Sequence, residues 1–151
     1  MGWIRPTDYN DVDGKWSNES NAYDGNTGTY ASSTINQYYH WLELLLPQAI
    51  ICDKIRIYCA EWYGFGEGAS SVQIEVYDGS NWLLVYAGTV SVNQWVEKVI
   101  TGGPKLISKA RVFNRFVAPG NTCMRLKEFE FNQTDVNIAA VAKDSNNLLG
   151  A

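Results

Sequence analysis

Hydrophobic positions along this chain recur with a period of two far more often than with the period of a helix. In Lys54-Ile-Arg-Ile-Tyr58, Ile55 and Ile57 share one face while Lys54, Arg56 and Tyr58 share the other, the alternation of a half-buried strand. Val72-Gln-Ile-Glu-Val-Tyr77 repeats it, with Val72, Ile74 and Val76 predicted to point inward. Asp78-Gly79-Ser80-Asn81 follows as turn chemistry, and Trp82-Leu-Leu-Val-Tyr86 reads as the return strand of a hairpin. Further strands are predicted over residues 41–46, 95–100, 107–116 and 124–131, which are rich in β-branched and aromatic residues and bounded by Gly, Pro and Asn. Several short strands at this spacing predict an all-β sandwich or barrel.

Two stretches break the pattern. Residues 8–34 are Asn, Asp, Ser, Gly, Thr and Tyr with hardly an aliphatic side chain, which predicts ordered loop rather than sheet. A loop of that length inside a compact domain is usually functional or held by something such as a metal. Residues 132–151 lack any aromatic and show no convincing apolar face, so they read as a tail or linker. The chain of 151 residues is therefore divided into one β-sandwich over 1–131 and a tail over 132–151.

Composition narrows the function. With 46% hydrophobic and 19% charged residues the chain has the apolar mass to fold and too little charge for disorder. Twelve basic against sixteen acidic residues leave a net charge of -4, with no electrostatic footprint for a phosphate backbone, so nucleic acid is not an expected partner. No apolar run approaches the ~20 residues of a membrane span, and no membrane insertion is expected. The first residues lack a basic-then-apolar leader. Nothing in these residues exports or anchors the chain, so the cytoplasm is the expected location outside a larger assembly. Cys52, Cys59 and Cys123 sit in no CxxC or Cys/His cluster and read as buried free thiols.

The strongest bias is aromatic: six Trp, nine Tyr and five Phe. Trp41, Trp82, Trp95, Phe129 and Phe131 fall on predicted strands and are expected in the core. Others fall in predicted loops: Trp62, Tyr63 and Phe65 in the Gly-rich Trp62-Tyr63-Gly-Phe65-Gly-Glu67, and the tyrosines of Tyr38-Tyr39-His40. Exposed rings offer an apolar face to the CH face of a pyranose, and Glu61, Asn114 and Arg115 supply hydrogen bonds to hydroxyls. The ligand-binding candidates are thus Trp62, Tyr63, Phe65, Glu61, Tyr39, His40 and Arg115. A lone His beside Trp41 equally suits a structural hydrogen-bonding role.

Asn21-Ala-Tyr-Asp-Gly-Asn-Thr-Gly-Thr-Tyr30 concentrates oxygen donors at Asp24, Asn26, Thr27 and Thr29, with Gly25 and Gly28 letting the backbone curl. Oxygen-only ligands from a curled loop suit Ca²⁺, although Asp-Gly-Asn is also ordinary turn chemistry. Glu128 alternates with Phe129 and Phe131, which takes it off the core face and leaves it free to bind. Glu128 and Glu130 share a strand face, an arrangement more often solvated or metal-bound than catalytic. The chain has no nucleophile elbow, phosphate loop or zinc motif, and is expected not to be an enzyme.

Taken in order, this Asp-Gly-Asn loop, Trp41-Leu-Glu-Leu, Lys54-Ile-Arg-Ile-Tyr58, the Val72 to Trp82 hairpin, Ala110-Arg-Val-Phe113 and Leu126-Lys-Glu-Phe-Glu-Phe131 form a recognisable series. It closely resembles the discoidin or coagulation factor V/VIII type C domain, most like the branch that includes the family 32 carbohydrate-binding modules, over residues 16–131. The resemblance implies an eight-stranded jelly-roll β-sandwich, galactose-binding-domain-like, whose termini meet and which commonly holds a structural Ca²⁺. It further implies side-chain ligands from Asp24 and Thr29, backbone carbonyls from Tyr23 and Asn26, and a carboxylate from Glu128. Galactose-binding members of the resembling family show a His shortly after the loop Thr and an Arg beyond the Lys-Ile-Arg strand. Here those stretches read Tyr30-Ala-Ser-Ser33 and Cys59-Ala-Glu-Trp-Tyr63, so the galactose triad is not present. The expected function is a non-catalytic, lectin-like module that binds a glycan or polysaccharide, within a virion or surface adhesin. The alternative is a structural virion or assembly module, homo-oligomeric and without sugar binding, because the stretch from Trp16 to Tyr30 is similar to domains of bacteriophage structural and tail proteins.

Overall fold

The computed structural model describes residues 2–33, 40–60, 69–115 and 123–134. Ten strands and one short 3₁₀ turn occupy them: β1 (Gly2–Ile4), β2 (Asp8–Asp11), β3 (Trp16–Ser17), the 3₁₀ turn Glu19–Tyr23, β4 (Ala31–Ser33), β5 (Leu42–Cys59), β6 (Ala69–Tyr77), β7 (Trp82–Ser91), β8 (Trp95–Val99), β9 (Lys105–Asn114) and β10 (Arg125–Gln133). Pairing is antiparallel, in the order β3-β4-β10-β5-β9-β6-β7, with β1 on β10 and both β2 and β8 on β5. This is the all-β sandwich that the strand pattern allows; the resemblance implies an eight-stranded jelly roll, and the described residues form ten strands, of which β1, β3 and β4 have only two or three residues each.

Strand β5 joins the layers. Leu42 to Leu45 pair with β2 on one side and β9 on the other, whereas Lys54 to Tyr58 pair with β8 and β10. Between the halves, Pro47, Gln48 and Ala49 are exposed and the register against β9 shifts. Pro47 carries no N–H for a ladder, so the irregularity sits where it costs least. The sequence pattern predicts two separate strands here; the backbone runs through both.

The core follows the period-two reading. Ile55, Ile57, Val72, Ile74, Val76, Phe129 and Phe131 are all fully buried, and Trp16 joins them at 5% exposure. Asp78 closes the β6–β7 hairpin by accepting from the Ser80 and Asn81 amides at 2.8 and 2.7 Å, with Gly79 at φ 99°. All three cysteines are free and buried. Burial pushes the Cys52 and Cys59 thiols up to about 12.

Three expectations change. Trp41, Trp82 and Trp95 are half-buried on the outer faces rather than in the core. Each stacks on a guanidinium: Arg111 lies 4.0 Å from the Trp41 ring and 4.2 Å from the Trp82 ring, and Arg56 lies 4.0 Å from Trp95 and 4.3 Å from Trp3. Arg56 alternates with Ile55 and Ile57, and Arg111 with Ala110 and Val112, so both must point outward. A flat, weakly hydrated cation then covers the indole faces. Residues 8–34 are not loop throughout, since β2, β3 and β4 lie within them. Those strands are held by backbone pairing, and β2 leaves most of its side chains exposed, so no side-chain alternation announces them. At the other end β10 runs on through Asn132 and Gln133, which pair with Trp3 and Gly2 and bring the two ends of the domain together. Among the described residues no helix is long and apolar enough to cross a membrane.

Core and outer face should respond differently to truncation. Phe129→Ala is expected to lower unfolding free energy by about 3–5 kcal/mol, as for other buried Phe, while Leu84→Ala, at a side chain 55% exposed, should cost under ~0.5 kcal/mol. Urea unfolding followed by Trp fluorescence measures both.

Candidate functional site

The 3₁₀ turn Glu19–Tyr23 delivers the chain into a tight loop at residues 24–29. The Asp24 carboxylate accepts from the Asn26 amide at 2.8 Å, and the Asn26 side chain accepts from the Gly28 amide at 2.8 Å. The Thr29 hydroxyl donates to Asp24 Oδ2 at 2.5 Å and lies 3.0 Å from the Asn26 carbonyl. Gly25 adopts φ 79°, and a Cβ there would stand 2.8 Å from the Arg5 guanidinium carbon. Only glycine fits that position without strain.

Glu128, expected free on its strand face, is instead buried under this loop. Its alternation with Phe129 and Phe131 does take it off the core face, but the loop folds over it and leaves it 2% exposed. Oε1 accepts from the Gly25 amide at 2.6 Å and from the Asn26 amide at 2.9 Å. Oε2 is buried and meets no hydrogen-bond donor. Burial, reinforced by the adjacent Asp24 carboxyl, pushes the Glu128 carboxyl up to about 7 against the pull of the two amides. Burial also acts to raise Asp24, yet the bonds from the Thr29 hydroxyl and the Asn26 amide, with the Glu128 carboxyl close by, outweigh it and hold Asp24 below its ordinary value.

Two carboxyl groups in contact, one of them buried, need a positive charge between them. A proton satisfies the pair; so does a hard cation. The donors at hand are Glu128 Oε2, the Asp24 carboxylate, the Thr29 hydroxyl and the Asn26 carbonyl, an oxygen-only set that fits Ca²⁺ rather than a softer metal. Among the described residues no cluster of three or more His, Cys, Asp or Glu side chains occurs, so a cation here depends on carbonyl and hydroxyl oxygens as well.

The second group of predicted residues lies at one end of the sandwich. Leu42 pairs with Val112, which places His40 and Arg115 beyond the ends of neighbouring strands, past the Trp41–Phe113 edge contact at 4.5 Å. His40 Nδ1 lies 2.8 Å from the Asp13 carboxylate, and its carbonyl accepts from the indole of buried Trp16 at 2.9 Å. Arg115 is exposed, and its amide donates to the Ser71 carbonyl at 3.0 Å. Asp13 as the partner of His40 has no signal in the sequence beyond turn composition. Glu61, Trp62, Tyr63, Phe65 and Tyr39 lie outside the described residues.

The carboxylates on the strands are committed elsewhere. Glu130 accepts from Arg56 Nε at 2.7 Å and sits 3.7 Å from Arg5. Glu75 binds Arg111 at 2.5 and 2.9 Å, and Glu43 takes Lys109 at 3.3 Å.

No protein-family profile matches the chain, and no curated protein is significantly similar to it in sequence. Solved structures do share its fold. The CBM32 of AlyQ, solved with 4,5-unsaturated mannuronic acid, aligns at TM-score 0.64 and 20% identity over 87% of this chain and 98% of that one. The family 32 CBM of C. perfringens NanJ, solved with galactose, aligns at TM-score 0.61 and 18% identity over 87% and 93%. An F5/8 type C domain from Bacteroides fragilis aligns at TM-score 0.62 and 13% identity over 89% and 97%. The fold is that of discoidin-like F5/8 type C domains and family 32 modules.

The Glu128 carboxyl gives a signed pH dependence. Its folded pKa of about 7 exceeds the ordinary value of 4.5, so its contribution to stability is full below pH 4.5 and disappears as pH rises through 7. Chelated protein should therefore unfold at lower urea at pH 8 than at pH 5. Glu128→Gln, which keeps an acceptor for the two amides and gives Asp24 a donor, should flatten that difference.

Proposed function

We propose that this chain is a non-catalytic carbohydrate-binding module. The observation that carries the reading is the end-to-end alignment with modules solved as sugar binders, which covers 87–90% of this chain and 92–98% of the three modules whose names or bound ligands are mannuronic acid, galactose and pectin. We assign the binding site to the end to which His40 and Arg115 belong, with Tyr39, Glu61, Trp62, Tyr63 and Phe65 as the further ligand-binding candidates of the sequence reading. Aromatic rings stack on the apolar faces of pyranoses, while His40, Glu61 and Arg115 bond hydroxyl or carboxylate groups. The ligand is a polysaccharide segment other than terminal galactose, because the His and Arg of the galactose pattern are not at their places. An attached larger protein, such as a virion component or surface adhesin, supplies the setting in which a weak single site acts by multivalency.

In the same reading, Ca²⁺ is structural. Asp24, Thr29 and Glu128 hold it through side chains, and Asn26 and Tyr23 through carbonyls. Its charge replaces the proton shared by Asp24 and Glu128 and keeps an aliphatic-poor loop ordered.

Trp fluorescence titrated with alginate, pectin and chitosan oligosaccharides tests the binding site. Saturable quenching that Trp62→Ala reduces at least ~tenfold in affinity is expected, since one lost stacking ring is worth 1–2 kcal/mol or more. Absence of response to all three, together with an empty glycan array, would count against the proposal. For the cation, Ca²⁺ should raise the melting temperature saturably and reversibly with chelator, and Asp24→Ala should abolish the rise. A wild-type melting temperature unmoved by Ca²⁺ or chelator would remove that part alone.

A further inference from the structure

We infer that Arg5 is a positioning residue for the oxygen-rich loop, a latch that couples docking of the N-terminal strand β1 to the order of residues 24–29. The strand register puts it there. Trp3 lies opposite Asn132 and Ile4 opposite Phe131, so one step further along the same line Arg5 falls beside Glu130. Its Nε stands 3.7 Å from Glu130 Oε2, and Arg56 of β5 donates to Oε1 of the same carboxylate at 2.7 Å. Glu130 is buried, and the two guanidinium groups supply the charge that a buried carboxylate requires.

Two residues back along β10, Glu128 accepts from the Gly25 and Asn26 amides at 2.6 and 2.9 Å. Arg5 spans the step between the two carboxylates. A Cβ at Gly25 would stand 2.8, 2.9 and 3.0 Å from Arg5 Cζ, Nη1 and Nη2, so the guanidinium lies against the backbone of this residue. Gly25 is thus held from two sides, through its amide by Glu128 and at its Cα by Arg5. The contacts form one contiguous series: Gly25 to Arg5, Arg5 to Glu130, Glu130 to Arg56, and Arg56 to the Trp3 ring at 4.3 Å.

Strand β1 is the element able to respond. It has three residues, and among the described residues only β10 pairs with it, so its ladder has little stability of its own. Side chains fasten it: Ile4 packs on the core, and Trp3 lies under Arg56 and Lys54. Arg5 is 55% exposed, and its ion pair with Glu130 taken alone is worth little. Its effect comes from touching two marginal elements at once, because each is easier to order when the other is already in place. A ligand that orders the loop therefore also fastens β1. For Ca²⁺ this consequence rests on the cation reading above, whereas the latch itself rests on the contacts alone.

Residue-resolved amide hydrogen exchange of the full chain tests it, first in chelator. Arg5→Ala is expected to speed exchange of the Gly25 and Asn26 amides and of the β1 amides ~threefold or more, with the β6–β7 ladder unmoved. Trp3→Ala, which loosens β1 from its far side, should speed the Gly25 and Asn26 amides when Arg5 is present and add nothing to them when Arg5→Ala is already made. An Arg5→Ala effect confined to the loop or to β1, or Trp3→Ala and Arg5→Ala effects on the loop that simply add, overturns the inference. Saturating Ca²⁺ should then slow β1 exchange in the wild type but not in Arg5→Ala, with calorimetry recording whether the ion binds. Binding that leaves wild-type β1 exchange unmoved overturns the transmission from loop to strand. If no Ca²⁺ binds, the cation reading fails, and the exchange measured in chelator alone upholds or overturns the latch.

Discussion

The structure depends on a change of parity within one strand. Along β5 the inward side chains are first even-numbered, Leu42, Leu44 and Leu46, and then odd-numbered, Ile55, Ile57 and Cys59, all buried. Because strand side chains alternate, a continuous flat strand cannot keep both sets on one face. The two halves instead belong to different layers, each facing the common core from its own side. The even parity survives the exposed Pro47 to Ala49, since Ile50 and Cys52 are buried, and changes between Cys52 and Ile55, where the register against β10 shifts. Strands β2 and β9 gather on the first half and β8 and β10 on the second. A one-residue slip in either half would turn its apolar set outward, so the register of four ladders is fixed by the side chains of one strand.

The strands that build this core were legible because their alternation is local. Ile55 with Ile57, Val72 with Ile74 and Val76, and Phe129 with Phe131 point inward as their spacing requires. The tryptophans were not legible by size alone. Trp82 lies opposite Tyr77, and Trp95 opposite Tyr58, positions of outward parity beside inward Val76 and Ile57. Parity, not bulk, decides the face, and the outward arginines Arg56 and Arg111 make those positions favourable for rings. The carboxylates complete the arrangement. Buried Glu130 fixes Arg56 and Glu75 fixes Arg111, so each guanidinium is held in plane between two indoles.

The first thirty-four residues were half legible, for a related reason. Turn chemistry identifies Asp24, Asn26 and Thr29 as a local oxygen-rich loop, and the bonds among them are indeed short-range. Strands β2 and β4 leave no such trace, because what holds them is the backbone of distant partners. The fate of Glu128 is also non-local. Alternation shows only that it leaves the core face; its burial follows from a loop more than a hundred residues away presenting the Gly25 and Asn26 amides to it. Arg5, against Gly25 and near Glu130, ties the N-terminal segment to the same corner.

The commitments of the charged groups also confine where chemistry can occur. The outer faces of both layers are occupied by cation–aromatic stacks whose arginines and carboxylates already bind each other, so a ligand there would have to displace paired groups and pay their desolvation. Among the described residues, Glu43, Glu75, Glu128 and Glu130 each have a partner within the fold. At the sandwich end, by contrast, Arg115 is exposed and His40 is oriented by Asp13 while its carbonyl anchors Trp16. A polar group held from behind and open in front is suited to recognition, because little freedom remains to be lost on binding. Occupied faces and an end with held but open polar groups are therefore two consequences of one charge distribution.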